Sequence, residues 1–179
     1  MKRILSVLSF LFVFSSTAHA GLLLDPYFNY ITSGKYDTST TSSSVTGNEI
    51  GARVGWNVFM GLGFGVDALL SGKWTYSNNG TSSDITPSYY GVFASYQFPI
   101  LFRGYLSYLL SVKAKDSSGD YSTGTGTKIG VQYTGLPFVA LGVEMYNVNH
   151  DKANIGGTEF SVSNKETHTN ITLSVPFNL

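Results

Sequence analysis

The 179-residue sequence contains no cysteine, and charged residues make up only 12% of it. Without cysteine there are no disulfides, so an exported chain of this size needs another form of closure. Eleven basic and eleven acidic residues give a formal net charge of zero. A nucleic-acid binder would carry a basic patch, and no excess of basic residues supports one here. The sequence is instead rich in tyrosine, phenylalanine and glycine, which is typical of a β-rich protein.

Long apolar runs are also missing, except near the start of the chain. Lys2 and Arg3 precede an apolar run over residues 4–14, and Ala18-His19-Ala20 ends the segment. This order is typical of a secretory signal peptide, and the run is shorter than the roughly 20 residues of a spanning helix. We therefore expect residues 1–20 to be a cleaved signal peptide and residues 21–179 to form a single exported domain.

The end of the chain, residues 167–179, alternates between two kinds of side chain. Ile171, Leu173, Val175 and Phe177 occupy one face of a predicted strand, and polar residues occupy most of the other. One face favours hydrocarbon and the other favours water or polar partners. The pattern predicts a strand in the wall of a sheet that has an apolar outer surface.

Seven further segments show the same alternation. They cover residues 21–34, 48–57, 62–76, 88–97, 102–114, 125–133 and a stretch that begins near Val139. Three short turns alternate with four polar segments, which we interpret as loops of about ten to fifteen residues, the arrangement of membrane barrels with long loops at one rim. Because only helices and closed barrels satisfy every backbone group in lipid, we predict an all-β, eight-stranded, antiparallel up-and-down transmembrane β-barrel over residues 21–179.

The aromatic residues are predicted to form two belts where the barrel meets the lipid headgroups. Trp56, Tyr96, Phe102, Tyr133, Phe138 and Phe177 lie near the short turns, whereas Trp74, Tyr76, Tyr90 and Tyr146 lie near the polar segments.

With these features the chain resembles the small eight-stranded outer-membrane barrels of Gram-negative bacteria, the class of OmpX and of the membrane domain of OmpA. The resemblance covers residues 21–179. It implies a location in the cell outer membrane, with both termini on the periplasmic side and insertion by the barrel-assembly machinery. Ile171, Leu173, Val175 and Phe177 are similar to the terminal signal which that machinery reads.

Ionisable residues of both signs alternate with the apolar outer residues, so we expect them to face the interior. They are Glu49, Arg53, Asp67, Lys73, Arg103, Lys113, Lys128, Glu144 and His168. We predict that Glu49, Arg53, Asp67, Arg103, Lys128 and Glu144 form an ion-paired network filling a narrow lumen, because a lone buried charge is costly. If the hairpin is centred near residue 136, Lys128 lies directly opposite Glu144, and Arg53 and Asp67 lie on a diagonal.

Three functions fit this pattern. The first is a structural or surface-interaction barrel, the second is a narrow channel for ions or small solutes, and the third is a lipid A-modifying acyl hydrolase or transferase. The third rests on His150 beside Asp151 and on His168, which shares a face with Glu166 and Asn170. No local catalytic pattern supports it, and we predict no enzymatic activity.

The expected partners are outer-membrane lipids and lipopolysaccharide, together with the barrel-assembly machinery during insertion, and we expect a monomer. No cofactor is predicted. Two histidines after residue 20 and no cysteine do not favour a transition-metal site.

Overall fold

The computed structural model describes residues 21–179, and the predicted signal peptide lies outside the described residues. The eight long strands are β1 (Gly21–Asp37), β2 (Ser42–Asn57), β3 (Leu62–Asn78), β4 (Thr81–Gln97), β5 (Phe102–Asp116), β6 (Tyr121–Tyr133), β7 (Ala140–Ile155) and β8 (Thr158–Ser174). A two-residue strand, β9 (Phe177–Asn178), and a short 3₁₀ turn, Phe59–Gly61, complete the elements. In this part of the chain no helix is long and apolar enough to cross a membrane.

The sheet closes into a barrel because each strand pairs antiparallel with the next and β8 pairs with β1. A path through directly paired residues runs Leu24, Val54, Val66, Val92, Tyr108, Thr127, Asn147, Thr167 and Lys35. The path returns to β1 well beyond its starting point, so the strands are tilted relative to the barrel axis. The predicted fold class is confirmed.

The outer surface carries a continuous apolar belt. Its residues are Leu24, Phe28, Tyr30, Ile50, Val54, Trp56, Phe64, Val66, Leu70, Tyr90, Val92, Tyr96, Phe102, Leu106, Tyr108, Leu110, Ile129, Val131, Tyr133, Leu141, Val143, Met145, Ile171 and Leu173, all of them exposed. Such a surface is far larger than the apolar patches that soluble monomers expose. Charged side chains lie either inside the barrel or near one rim.

The prediction of long polar loops is wrong, because the polar segments extend the strands instead. At the end of the barrel where these segments lie, the connections between strands cover only residues 38–41, 79–80, 117–120 and 156–157. Asn79-Gly80 and Gly156-Gly157 have positive φ at both residues, the backbone of the tight type I′ hairpin. We call this end of the barrel the hairpin rim, and the end that carries both termini and the other three turns the terminal rim.

The alternation between inside and outside reverses within the odd-numbered strands. The pairing registers shift after Ile31 in β1, at Leu70 in β3, at Leu110 in β5 and at Asp151 in β7, as expected for β-bulges. A bulge adds one residue, so every side chain beyond it changes face.

The bulges overturn several predicted orientations near the hairpin rim. Lys73 and Lys113, predicted inside, lie outside the lumen, and Val112, predicted outside, is buried. Trp74 and Tyr76, predicted for the outer belt, turn inward beyond the bulge at Leu70. Tyr146, also predicted for the outer belt, lies before the bulge in β7 and faces inward because it follows the buried Glu144 by two residues. Tyr90 is exposed as expected.

The last strand is not continuous as predicted. β8 ends at Ser174, residues 175–176 interrupt it, and β9 then pairs with Leu23 and Leu24 of β1. Pro176 has no amide hydrogen for the ladder, which is consistent with the interruption. Ile171, Leu173 and Phe177 are exposed and Val175 is partly buried.

Candidate functional site: the buried lumen network

Arg53 lies at the centre of the terminal half of the lumen and is almost fully buried. Its guanidinium contacts three carboxylates, with Nη1 3.0 Å from Asp25, Nη2 2.9 Å from Glu144 and Nε 3.7 Å from Asp67. The rings of Tyr27 and Tyr105 lie 4.5 and 3.9 Å from its Cζ atom. A planar cation with several donors suits such a site, since it bridges several acceptors and packs against aromatic faces.

Lys128 forms the second cationic centre. Its Nζ atom lies 3.1 Å from Asp67 Oδ2 and 3.5 Å from Glu144 Oε1, so it shares both carboxylates with Arg53. The ammonium group also donates to the hydroxyls of Tyr27 and Tyr89. Lys128 is inaccessible to solvent, and this set of partners offsets the cost of burying its charge.

Asp25 joins Arg103 to the network, because its Oδ2 atom lies 2.6 Å from Arg103 Nη2 and 3.0 Å from Arg53 Nη1. Gln132 accepts a hydrogen bond from Arg103. A cavity of about 650 Å³ opens at the terminal rim, and Arg103 is among its lining residues. The ion-paired part of the lumen therefore begins at the base of this cavity.

Glu49 and Glu166 lie further from the arginines and use neutral or imidazole donors. Glu49 accepts hydrogen bonds from Asn29, Trp74 and Tyr89. Glu166 is 3.0 Å from His150 Nε2 and accepts the Tyr76 hydroxyl. His168 stacks on Tyr146 with ring centroids 4.1 Å apart, and its nitrogens lie 3.5 Å from Glu166 and 3.8 Å from Glu49.

Buried apolar and aromatic side chains pack around Glu49, Glu166 and the two histidines. The buried cluster comprises Ile31, Val45, Leu69, Trp74, Ile85, Tyr89, Leu109, Val112, Ala114, Tyr146 and Val148. We call it the apolar plug. It fills the hairpin half of the lumen, where a channel would need a polar, hydrated path.

No family model matches the sequence, and no curated protein matches it. Among solved structures, the chain is similar to Neisserial surface protein A (NspA), with 23% identity, a TM-score of 0.55 and coverage of 89% of this chain and 99% of that one. OprG from Pseudomonas aeruginosa is 11% identical, covering 89% and 97%, and Escherichia coli outer membrane protein W is 12% identical, covering 90% and 100%. Both have a TM-score of 0.43, so the comparison of folds rests on NspA.

The chain has the fold of an outer-membrane β-barrel. Within this barrel the structure brings all six predicted network residues, Glu49, Arg53, Asp67, Arg103, Lys128 and Glu144, into the lumen, and each is buried. The predicted registers were wrong, however. Glu144 is directly opposite Gly130 rather than Lys128, and Arg53 is directly opposite Asp67 rather than diagonal to it. Both ion pairs still form, because Arg53 faces Asp67 directly and the long side chain of Lys128 spans the two-residue offset to Glu144.

Small residues in the barrel wall make room for the network. A Cβ atom at Gly51 would overlap the ring of Tyr27, and one at Gly130 would overlap the ring of Tyr105. The tyrosines can therefore reach Asp67 and Glu144 across the lumen. These two glycines therefore leave the space that the tyrosine rings occupy.

Several network residues were missed in the sequence. Asp25, Tyr27 and Asn29 alternate with Leu24, Pro26 and Phe28, so period-two alternation alone could have placed them inside. His150 and Glu166 follow the same alternation, six residues from Glu144 and two from His168, so it could have placed them inside as well. Trp74 had no such signal, because it lies beyond the bulge at Leu70.

The arrangement does not assemble the catalytic element considered in the sequence. His150 is buried against Glu166, whereas Asp151 is exposed. Within residues 21–179, no serine hydroxyl is hydrogen-bonded to a histidine, and no group of three or more His, Cys, Asp or Glu residues is placed to hold a metal ion. The contacts instead pair charges and fill space.

Proposed function

We propose that this protein is an integral barrel of the bacterial outer membrane, with a closed lumen and a structural or surface-interaction role. The observation that carries the proposal is the polarity of the wall, with buried ion pairs inside and exposed apolar residues outside. A water-soluble barrel would have the opposite polarity, since it would expose its charges and bury its apolar residues. The NspA-like fold supports the same assignment.

We also propose that both termini face the periplasm. In outer-membrane barrels the longer polar connections lie on the extracellular side, and here the polar strand extensions with their turns all lie at the hairpin rim. The hairpins beyond the belt, which carry the exposed charges Lys35, Asp84, Lys115 and Asp151, would then face the exterior. Recognition at the cell surface would involve these strand extensions and their turns rather than long loops.

The proposed role does not include conduction or catalysis. The apolar plug and the Arg53–Lys128 network occupy successive parts of the lumen and favour a barrel impermeable to ions. The exposed position of Asp151, turned away from His150, gives no support to an acyl hydrolase.

Insertion would depend on the barrel-assembly machinery, and Ile171, Leu173 and Phe177 would present the terminal signal on the outer face. We expect the barrel to be monomeric, because the belt closes around the wall and the sheet has no unpaired edge along its length.

Reconstitution into lipid bilayers tests this function. We expect purified protein, residues 21–179, to insert into vesicles, to migrate in an unheated gel as a compact species that shifts on boiling, and to add no stepwise conductance to a planar bilayer. A porin recorded in the same bilayer controls for detection. Reproducible single-channel steps would contradict the closed lumen, and a folded monomer in buffer without detergent would contradict the membrane assignment.

A further inference from the structure

The lysines outside the lumen are all at one end of the barrel. Residues 21–179 contain nine basic residues other than histidine, and Arg53, Arg103 and Lys128 are in the lumen. The remaining six are Lys35, Lys73, Lys113, Lys115, Lys152 and Lys165, all on the strand ends toward the hairpin rim. Within the described residues, the outer surface near the terminal rim carries no charged side chain.

These lysines follow directly after the apolar belt. On β1 the last belt residue is Tyr30, and Lys35 comes next among exposed charged residues. On β5 Leu110 is followed by Lys113 and Lys115. The ammonium groups therefore lie where the acyl chains of a surrounding membrane end and its headgroups begin, a level that long cationic side chains favour.

Two carboxylates at the hairpin rim are held by the backbone and side chains of the turns. Asp116 accepts hydrogen bonds from the hydroxyl of Ser118 and from the amides of Ser118 and Asp120, which together lower the pKa of Asp116. Asp120 accepts the amide of Gly156. These two acids are therefore held by the turns rather than by lysines.

Two of the six lysines form ion pairs. Lys73 Nζ lies 2.7 Å from Asp84, and Lys152 Nζ lies 3.0 Å from Glu159. The hydrogen bond from Lys73, with a second from Thr75, lowers the pKa of Asp84, so that carboxyl remains charged and paired.

Lys35, Lys113, Lys115 and Lys165 form no ion pair within the described residues, and we call them the lysine collar. Lys113 Nζ packs 3.7 Å from the ring centroid of Tyr121, which restricts it without neutralising it. Lys35 and Lys165 lie near each other on paired strands, since Asp37 is directly opposite Lys165. Lys113 and Lys115 share one face of β5.

We propose that the lysine collar binds the phosphate groups of a phosphorylated glycolipid in the outer leaflet of the membrane. Ammonium groups bind phosphate as point charges, and here four of them lie one step above an apolar wall that would contact the acyl chains. The ligand class thus combines acyl chains with headgroup phosphates. This inference rests on the proposed function, because it requires the hairpin rim to face the exterior.

Titration of lipid A into the folded, detergent-solubilised barrel tests the collar, with bound lipid counted by native mass spectrometry. We expect the variant with all four collar lysines replaced by glutamine to lose at least about tenfold in apparent affinity, given the attraction of each lysine to an anionic surface. The matched control is Lys73→Gln with Lys152→Gln, whose lysines are already paired, and it should retain affinity within about threefold. The fourfold Lys→Arg variant should bind like the wild type.

Two control lipids distinguish binding through the acyl chains from binding through the phosphate groups. Dephosphorylated lipid A keeps the acyl chains, and phosphatidylglycerol keeps one anionic phosphate, so both should bind more weakly than lipid A. Equal binding of either control lipid, or unchanged affinity of the fourfold glutamine variant, would overturn the proposal.

Insertion of each variant into zwitterionic vesicles is measured in parallel by the difference in gel mobility between unheated and boiled samples. This measurement does not depend on lipid A. If the wild type inserts and the collar variants bind lipid A normally, only the collar inference fails. If the wild type does not insert, the proposed membrane function fails and the collar inference fails with it.

Discussion

Replacement of Arg53 by methionine is expected to destabilise the folded barrel by about 3–5 kcal/mol, the cost of breaking a buried ion pair by removing one partner. Arg53 bridges Asp25, Asp67 and Glu144, and the variant leaves these three carboxylates with two cationic partners, Arg103 and Lys128. Methionine keeps much of the volume between the two tyrosine rings, so the loss reflects charge more than packing. Urea unfolding of the barrel in lipid vesicles, followed by tryptophan fluorescence, measures the change.

A double variant distinguishes the loss of ion pairing from the loss of stability that any substitution of a buried residue would cause. Adding Glu144→Gln to Arg53→Met removes one of the excess negative charges, so the double variant should be less destabilised than the sum of the two single variants. We expect a coupling of about 1–3 kcal/mol for groups in direct contact. A loss below about 1 kcal/mol for Arg53→Met, smaller than the range for buried pairs, would show that the network does not stabilise the barrel.

Introduction of arginine at Val143 is expected to cost about 2–4 kcal/mol in a bilayer, the range for a cation on the lipid face near the midplane of a β-barrel. Val143 is exposed on the outer face of β7, directly opposite Val131 on one neighbouring strand and Ile171 on the other. An arginine here has no polar partner, and water is distant if the belt lies in lipid. The same vesicle unfolding assay reports the loss.

Asn147→Arg provides the matched control on the same strand. Asn147 is also exposed, but it lies beyond the belt residue Met145 and directly opposite the uncharged Thr127 and Thr167. Its substitution should cost about 0–1 kcal/mol, as for cations near the interface. Similar costs at both positions would mean that the belt does not contact hydrocarbon.

The strand count, the closure and the interior charges near the terminal rim could be predicted because period-two alternation is strong there. Leu24, Phe28 and Tyr30 outside and Glu144 and Arg53 inside follow directly from it. The ion-paired network could be predicted although the predicted strand registers were wrong, because long arginine and lysine side chains can reach partners that are not directly opposite.

The side-chain orientations in the hairpin half could not be predicted in the same way. A bulge inserts one extra residue into a strand, and amino-acid composition does not reveal where. Counting by two through Leu70 places Lys73 inside and Trp74 outside, the reverse of the structure. The serine- and threonine-rich composition of the polar segments predicts loops. Threonine favours strands as well, and Asn79-Gly80 is itself a strong hairpin signal.

The two tryptophans of the sequence provide the most direct test of a barrel with lipid outside and charge inside. Trp56 is 58% exposed in the belt, and Trp74 is 0% exposed in the lumen. Trp74→Phe and Trp56→Phe leave one fluorophore each, and bilayers with brominated acyl chains quench only a tryptophan that touches them. We predict strong quenching of Trp56 and none of Trp74, whereas strong quenching of Trp74 together with an unquenched Trp56 would contradict this structure of the barrel wall.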